Sequence, residues 1–178
     1  MPENALKLVP MSRDDLRWLE AFMRVEYPRA YASLWRDGGV AYVNETFSVK
    51  ALEAEHSEPG ASLFRVDWNG APTGFVRVVA GKCPPESEPG SRYLYLHRIY
   101  LAQSSHGRGL GRDVMNAVMA LAAGCDVIWL ESMAKDGAVG FYERLGFQTV
   151  AHTVLEHPQV NTEAAGMVRM VRDNQSDA

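Results

Sequence analysis

The stretch from Tyr93 to Ala123, YLYLHRIYLAQSSHGRGLGRDVMNAVMALAA, constrains the fold more than any other. Tyr93 to Leu101 is dense in aromatic and branched side chains, which suit a pleated, buried strand. Ala102 to Gly111 is a polar, glycine-rich turn. Leu110, Val114, Ala117, Val118 and Leu121 then recur at helical spacing and define an apolar helix face. The start of such a helix presents N–H groups without intrahelical partners, and its dipole adds about half a positive charge there. Gly107, Gly109 and Gly111 let a ligand approach the main chain, and Arg108 and Arg112 add charge nearby. The turn is a candidate phosphate cradle. The alternative is a glycine-rich turn with no ligand.

Two nucleotide-binding motifs are excluded. A P-loop needs Gly-Lys-Ser/Thr, and Gly111 is followed by Arg112 and Asp113. The dinucleotide fingerprint needs a third glycine where Arg112 stands. His106-Gly-Arg-Gly-Leu-Gly111 instead resembles the Gln/Arg-x-x-Gly-x-Gly/Ala signature of the GNAT superfamily of acetyl-CoA-dependent N-acetyltransferases, with His106 where Gln or Arg is usual. A second segment, Ile128 to Phe147, resembles that family's other signature through Ala138, Phe141, Tyr142, Gly146 and Phe147.

The chain has 178 residues, enough for one domain with a substantial core, expected over residues 1–172 with a frayed tail at 173–178. Its net charge of −4 gives no general affinity for nucleic acid or an anionic membrane. Cys83 and Cys125 stand in no metal-ligand spacing and are too few for a disulfide framework. No signal peptide or membrane-length apolar run is recognised, so a cytoplasmic protein with reduced thiols and no metal is expected.

Leu6 to Val9 reads as a first strand. Ser12 with Asp15 marks a helix start, and an apolar stripe runs from Leu16 to about Val25, where Pro28 interrupts it. Tyr27 to Gly39 reads as a helix end and loop whose Tyr27, Tyr31 and Trp35 form either a second core cluster or the wall of a substrate site. A second helix is expected from about Asn44 to Glu55. Ser62 to Trp68 and Gly74 to Ala80 form a hairpin about Asn69-Gly70. Lys82 to Gly90, with three prolines, reads as a mobile surface loop. Beyond the central unit come a strand at Asp126 to Ser132, a helix at Ala134 to Leu145 ended by Gly146, and strands at Phe147 to Leu155 and Gly166 to Arg172. The order β-α-α-β-β-β-α-β-α-β-β gives an α/β protein with a mixed central sheet flanked by helices, which also fits the GNAT fold.

The resemblance implies that the central strand and the next parallel strand splay apart. The pantetheine arm of acetyl-CoA would lie in that gap against Ile99, Tyr100 and Leu101, beside Phe141. The pyrophosphate would meet the turn formed by His106, Gly107, Arg108, Gly109, Leu110, Gly111 and Arg112. A small-molecule amine would attack the thioester directly, with no acyl-enzyme. Tyr142 matches the family tyrosine that protonates the leaving thiolate: a phenol near pKa 10 can serve a thiol of about 8.5 if aimed at the sulfur. The alternative for Tyr142 is simple packing of helix on sheet. His97 stands where a number of these enzymes carry a Glu that helps deprotonate the amine. An ammonium of about 10.4 facing an imidazole of about 6.5 makes direct transfer uphill by roughly 4 units, so His97 would act through water or as the N–C bond forms. The alternative is a hydrogen-bonded strand histidine. Arg98 is expected on the opposite sheet face from His97.

Within that family the sequence resembles the bacterial PaiA-type spermine/spermidine N-acetyltransferases. This resemblance rests on Leu96 to Tyr100, the turn, Ile128 to Leu130, Phe141 to Phe147, and Phe47 with Leu52. The histidine at 97 and the Glu156-His157 region depart from that pattern. Glu20, Glu26, Asp37, Glu45 and Glu131 are available to match spaced ammonium groups. A protein N-terminus or lysine is an alternative acceptor, and a CoA-binding module without turnover a third reading. Many relatives form homodimers, but nothing in this sequence fixes an interface.

Overall fold

The structure is a computed structural model that describes residues 6–135 and 137–174. Seven strands form one sheet in the order β1-β2-β3-β4-β5-β7-β6. The strands are β1 (Leu6–Pro10), β2 (Ala61–Trp68), β3 (Ala71–Ala80), β4 (Tyr93–Leu101), β5 (Val127–Met133), β6 (Gln148–Val154) and β7 (Gly166–Asp173). Only β4 and β5 pair in parallel; the other neighbours are antiparallel. The helices are α1 (Leu16–Tyr31), α2 (Val40–Thr46), α3 (Val49–His56), α4 (Leu110–Leu121) and α5 (Ala138–Glu143). The mixed sheet and its flanking helices are those expected from the sequence.

Each sheet face has its own core. Leu94, Leu96, Ile128 and Leu130 pack with Leu110, Val114, Met115 and Val118 of α4 and with Tyr142 of α5. Phe75 and Tyr100 pack on the other face with Leu16, Leu19, Met23, Tyr27 and Phe47. The buried side of α4 is rotated from the expected stripe: Met115 is fully buried and Leu121 is exposed.

Helix boundaries move for identifiable reasons. Pro28 does not end α1, which continues to Tyr31. The missing N–H falls near the helix end, and continuation places Tyr27 and Tyr31 against Tyr100, with centroids 6.0 Å away in both cases. The expected second helix is two helices. Phe47 is fully buried between them, and Ser48 starts α3 by accepting from the Ala51 N–H at 3.3 Å. The last helix begins only at Ala138, after Gly137 at φ 79°. The expected frayed tail is corrected at its start. Asp173 lies in β7, and Asn174 donates its backbone N–H to Asp126 O at 2.8 Å; the rest of that tail lies outside the described residues.

The Asn69-Gly70 hairpin forms as expected, both residues at positive φ. The 82–90 loop is tied down at several points. The Trp129 indole N–H donates to Lys82 O at 2.6 Å, the Tyr93 hydroxyl donates to Glu88 O at 3.1 Å, and Glu86 pairs with Arg169.

Gly74 of β3 is the tightest backbone contact beside β4: an added Cβ would lie 2.3 Å from Tyr100 O. Gly74→Ala is expected to cost about 1–3 kcal/mol in urea unfolding, because neither backbone can yield without moving β4.

Candidate active site

The β4–β5 ladder runs from Tyr93–Val127 to Leu96–Leu130 and ends. Beyond it each strand keeps only its outer partner. β4 stays on β3 through Leu101–Gly74, and β5 stays on β7 through Met133–Met167. A wedge opens between Ile99–Leu101 on one side and Glu131–Met133 on the other. A β-bulge begins it: Arg77 opposes Arg98 and Val78 opposes Leu96, leaving His97 without a register partner on β3. The inserted residue shifts the alternation. His97 lies by Tyr95, at 5.3 Å between ring centroids, and Arg98 sits over the Phe47 ring on the same sheet face. The expectation that Arg98 points to the opposite face is therefore corrected, and no alternation rule could have located the bulge.

Two clefts meet at the wedge. The larger, of about 960 Å³, is lined by Ile99, Tyr100, Leu101, His106, Gly107, Gly109, Leu110, Gly111, Arg112, Phe141 and Tyr142. Ten of these eleven are the residues singled out from the sequence as cofactor-binding; Tyr142 is the eleventh. Arg108 is the exception: its guanidinium sits 4.3 Å over the Trp68 ring. The His106 N–H donates to Gln103 O at 3.1 Å, so that amide is not open to a ligand as expected. The amides of Gly107 through Gly111 have no partner among the described residues. Gly107 at φ 72° and Gly109 at φ 82° hold the left-handed turn that presents them, and Gly109 is the residue from which α4 starts. Space is not their reason, since an added Cβ at either would meet nothing. Open amides at a helix start fit a diphosphate, and the free inner edge of β4 fits an amide-bearing arm.

Sequence reasoning missed that the end of α1 borders this cleft. Glu26 lines it, accepting from the Gln103 N–H at 3.0 Å and from Arg29 at 2.7 Å. It stands away from the acceptor side for which it was considered. Only the position of α1 over the sheet reveals this.

The second cleft, of about 490 Å³, lies on the α1–α3 side. Tyr27, Tyr31, Tyr42, His97, Arg98, Glu131 and Arg169 line it, with Thr153 to Glu156 from the end of β6 and beyond. Tyr27 and Trp35 are buried in the core, and Tyr27 also lines the cleft, so both readings of that aromatic group hold in part. Burial pushes the Tyr27, Tyr42 and Tyr100 hydroxyls up, so they stay protonated. Glu131 is engaged by Arg169 at 2.7 Å. Of the other carboxylates considered, Glu20 pairs with Arg24, Asp37 accepts from the Gly39 and Ala41 N–H groups, and Glu45 faces His157. The segment after β6 docks on the chain after α1, where Asn161 N–H donates to Leu34 O at 2.9 Å and Arg36 N–H to Gln159 O at 2.8 Å. Tyr31, Ile99, Tyr100, Ala138 and Tyr142 line both clefts, so Tyr142 stands where they join.

His97 is held unlike a general base. Its Nδ1 lies 2.5 Å from Nη1 of Arg77, which is fully buried. Arg77 is also bound by Glu55 O at 2.9 Å and by Glu58. Burial first, then the charges of Arg98, Arg77 and Lys82, lower the imidazole from 6.5 to about 2. Burial raises Glu55, although Arg98 at 2.8 Å opposes it.

The chain belongs to the acetyltransferase (GNAT) family, whose sequence model matches residues 18–147, and it is by class an acetyl-CoA-dependent N-acetyltransferase. Three solved structures share its fold. A PaiA N-acetyltransferase from Thermoplasma acidophilum, in complex with coenzyme A, is 15% identical, with a TM-score of 0.70 over 95% of this chain and 99% of that one. A spermidine N-acetyltransferase from Vibrio cholerae, in complex with CoA and spermine, is 20% identical, with a TM-score of 0.68 over 95% of each. An acetyltransferase from Thermus thermophilus is 20% identical, with a TM-score of 0.69 over 95% of this chain and 97% of that one. Among the described residues no helix is long and apolar enough to cross a membrane, and no three His, Cys, Asp or Glu side chains group to hold a metal.

A histidine neutral when folded but protonated near 6.5 when unfolded stabilises the fold fully above that value. The contribution falls as pH drops, because only the unfolded chain gains the proton. Between about pH 6 and 4 the slope from this group approaches about 1.4 kcal/mol per unit. His97→Gln is expected to flatten the urea-measured stability curve by about that slope. An unchanged curve means His97 titrates normally when folded.

Proposed function

We propose that this protein acetylates a small primary amine by direct attack on acetyl-CoA in a ternary complex, with Tyr142 as the proton donor. The observation that carries the reading is the junction of the two clefts at Tyr142 and the β4 edge. The open amides of Gly107 to Gly111 would bind the diphosphate, and the unpaired edge at Ile99 to Leu101 would receive the pantetheine arm beside Phe141. Acetyl-CoA supplies an activated acyl carbon. The amine nitrogen bonds to it, the C–S bond breaks, Tyr142 gives its proton to the thiolate, and the amine's proton leaves to solvent.

A small amine is favoured by the modest size of the acceptor cleft and by the segment after β6 that closes one side of it. Polyamines are one candidate class, supported by the carboxylates of Glu131 and Glu156 at the cleft and by the fold shared with a spermine-bound spermidine N-acetyltransferase. His97 is a weak candidate for the base, since Arg77 occupies its Nδ1. Attack through a prior free-amine fraction and solvent needs no such base. The two free cysteines are consistent with a cytoplasmic setting.

The test is CoA release from acetyl-CoA with purified protein and a panel of spermidine, monoamines and short peptides. Release with small amines supports the reading, and release with peptides alone replaces it. Tyr142→Phe is expected to keep CoA affinity by calorimetry and to lose at least about tenfold in kcat. Unchanged kcat removes Tyr142 from the chemistry.

A further inference from the structure

The inner wall of the acceptor cleft carries a feature that base catalysis does not use. His97 sits in the β4 bulge with Nδ1 directed at the buried Arg77 guanidinium and its ring lining the cleft. A guanidinium has donors and no acceptor, so the nitrogen facing it must hold a lone pair. The neutral ring then carries its proton on Nε2, which has no partner among the described residues. Arg77 cannot swing away, because Glu55 O and the Glu58 carboxylate fix its other nitrogen.

The surrounding charges give the cleft a polarity. Arg77 of β3, Lys82 after β3 and Arg98 of β4 lie near the imidazole, and the Tyr95 ring lies tilted beside it. Glu55 of α3 and the following Glu58 balance these cations from behind, and neither lines the cleft. Glu131 and Glu156, the carboxylates that do line it, stand on β5 and after β6. The β4 wall therefore offers donors and positive charge, and the opposite wall offers the Glu156 carboxylate beside the Glu131–Arg169 ion pair. An ammonium is repelled at the first wall and an oxygen lone pair is welcome there.

We propose that Arg77 locks His97 as a neutral Nε2–H donor that binds an oxygen of the acceptor molecule, so that the enzyme favours primary amines bearing a hydroxyl or carbonyl oxygen near the reacting nitrogen. This rests on the reading of the second cleft as the acceptor site. Arg77 is a positioning residue and His97 determines specificity. A diamine, by contrast, directs its second ammonium toward Glu156, since Arg169 already pairs with Glu131.

Two measurements test it. Long-range proton–nitrogen correlation spectra of the histidine-labelled wild-type enzyme, from pH 5 to 8, are expected to show His97 as the Nε2–H tautomer throughout. Its signals are identified by their loss in His97→Leu. An Nδ1–H tautomer, or titration within that range, overturns the lock. Arg77→Met, where it folds, is expected to release the tautomer, so that Nδ1–H appears beside Nε2–H, while burial and Arg98 keep the ring neutral; an Nε2–H tautomer unchanged in that variant overturns the lock, and where it does not fold the wild-type spectrum still decides. Second, the ratio of kcat/KM for 3-amino-1-propanol over 1,3-diaminopropane is expected to fall about tenfold in His97→Leu and to recover in His97→Gln, whose side chain keeps an N–H. An unchanged ratio, or no turnover of the amino alcohol, overturns the substrate half. The spectra need no turnover, so they separate this failure from failure of the acetyltransfer reading, which appears as no CoA release with any amine.

Discussion

Strands β4 and β5 share a parallel ladder for four residue pairs and then part, and every functional feature of the molecule depends on that parting. A ladder that continued to Leu101 would satisfy the backbone groups of Ile99 to Leu101 internally and leave nothing for a ligand to bind. The split costs little because each strand keeps its outer partner: β3 holds β4, and β7 holds β5 to its last residue. The bulge at His97 begins the divergence by adding length to β4 without a matching residue on β3. The unpaired edges are thereby preorganised, so the cost of exposing them falls on folding and not on binding.

The same bulge decides the character of the second cleft. By turning His97 and Arg98 toward one face, it brings two nitrogen-bearing side chains into a cleft lined by several tyrosines, Glu131, Glu156 and Arg169. Such charges are tolerable only if paired. Arg98 meets Glu55, Arg77 meets Glu58 and the Glu55 carbonyl, and Arg169 meets Glu131 and Glu86. These partners come from α3, from the chain after it, from β5 and from the 82–90 loop. The network therefore ties three distant pieces of chain to the rim of one cleft. The imidazole is left neutral first because it is buried, and then because protonating it would add a further cation beside Arg98 and Arg77.

Much of this was legible in the sequence wherever local rules act alone. The order of strands and helices, the Asn69-Gly70 hairpin and the central β4–turn–α4 unit follow from periodicity and turn chemistry. So does the lining of the larger cleft, because one glycine-rich turn and one strand end supply most of it. Where tertiary contacts outweighed local preference, the reading failed. α1 runs through Pro28 because Tyr27 is buried and Tyr31 packs edge-on against Tyr100, and the second helix breaks because Phe47 is buried and Ser48 caps α3. Arg108 carries the charge a phosphate would want, yet the face of Trp68, distant in sequence, holds it.

The sequence by itself determined the fold class, the glycine-rich start of α4 and the tyrosine of α5 that stands at the junction of the clefts, since each is written in residues close together along the chain. The tertiary structure alone decided which way His97 and Arg98 face, which carboxylates reach the second cleft, and that His97 meets Arg77 at 2.5 Å. A one-residue insertion in strand register and the pairing of charges between distant segments leave no periodic mark in the chain, because both arise only when those segments are packed together.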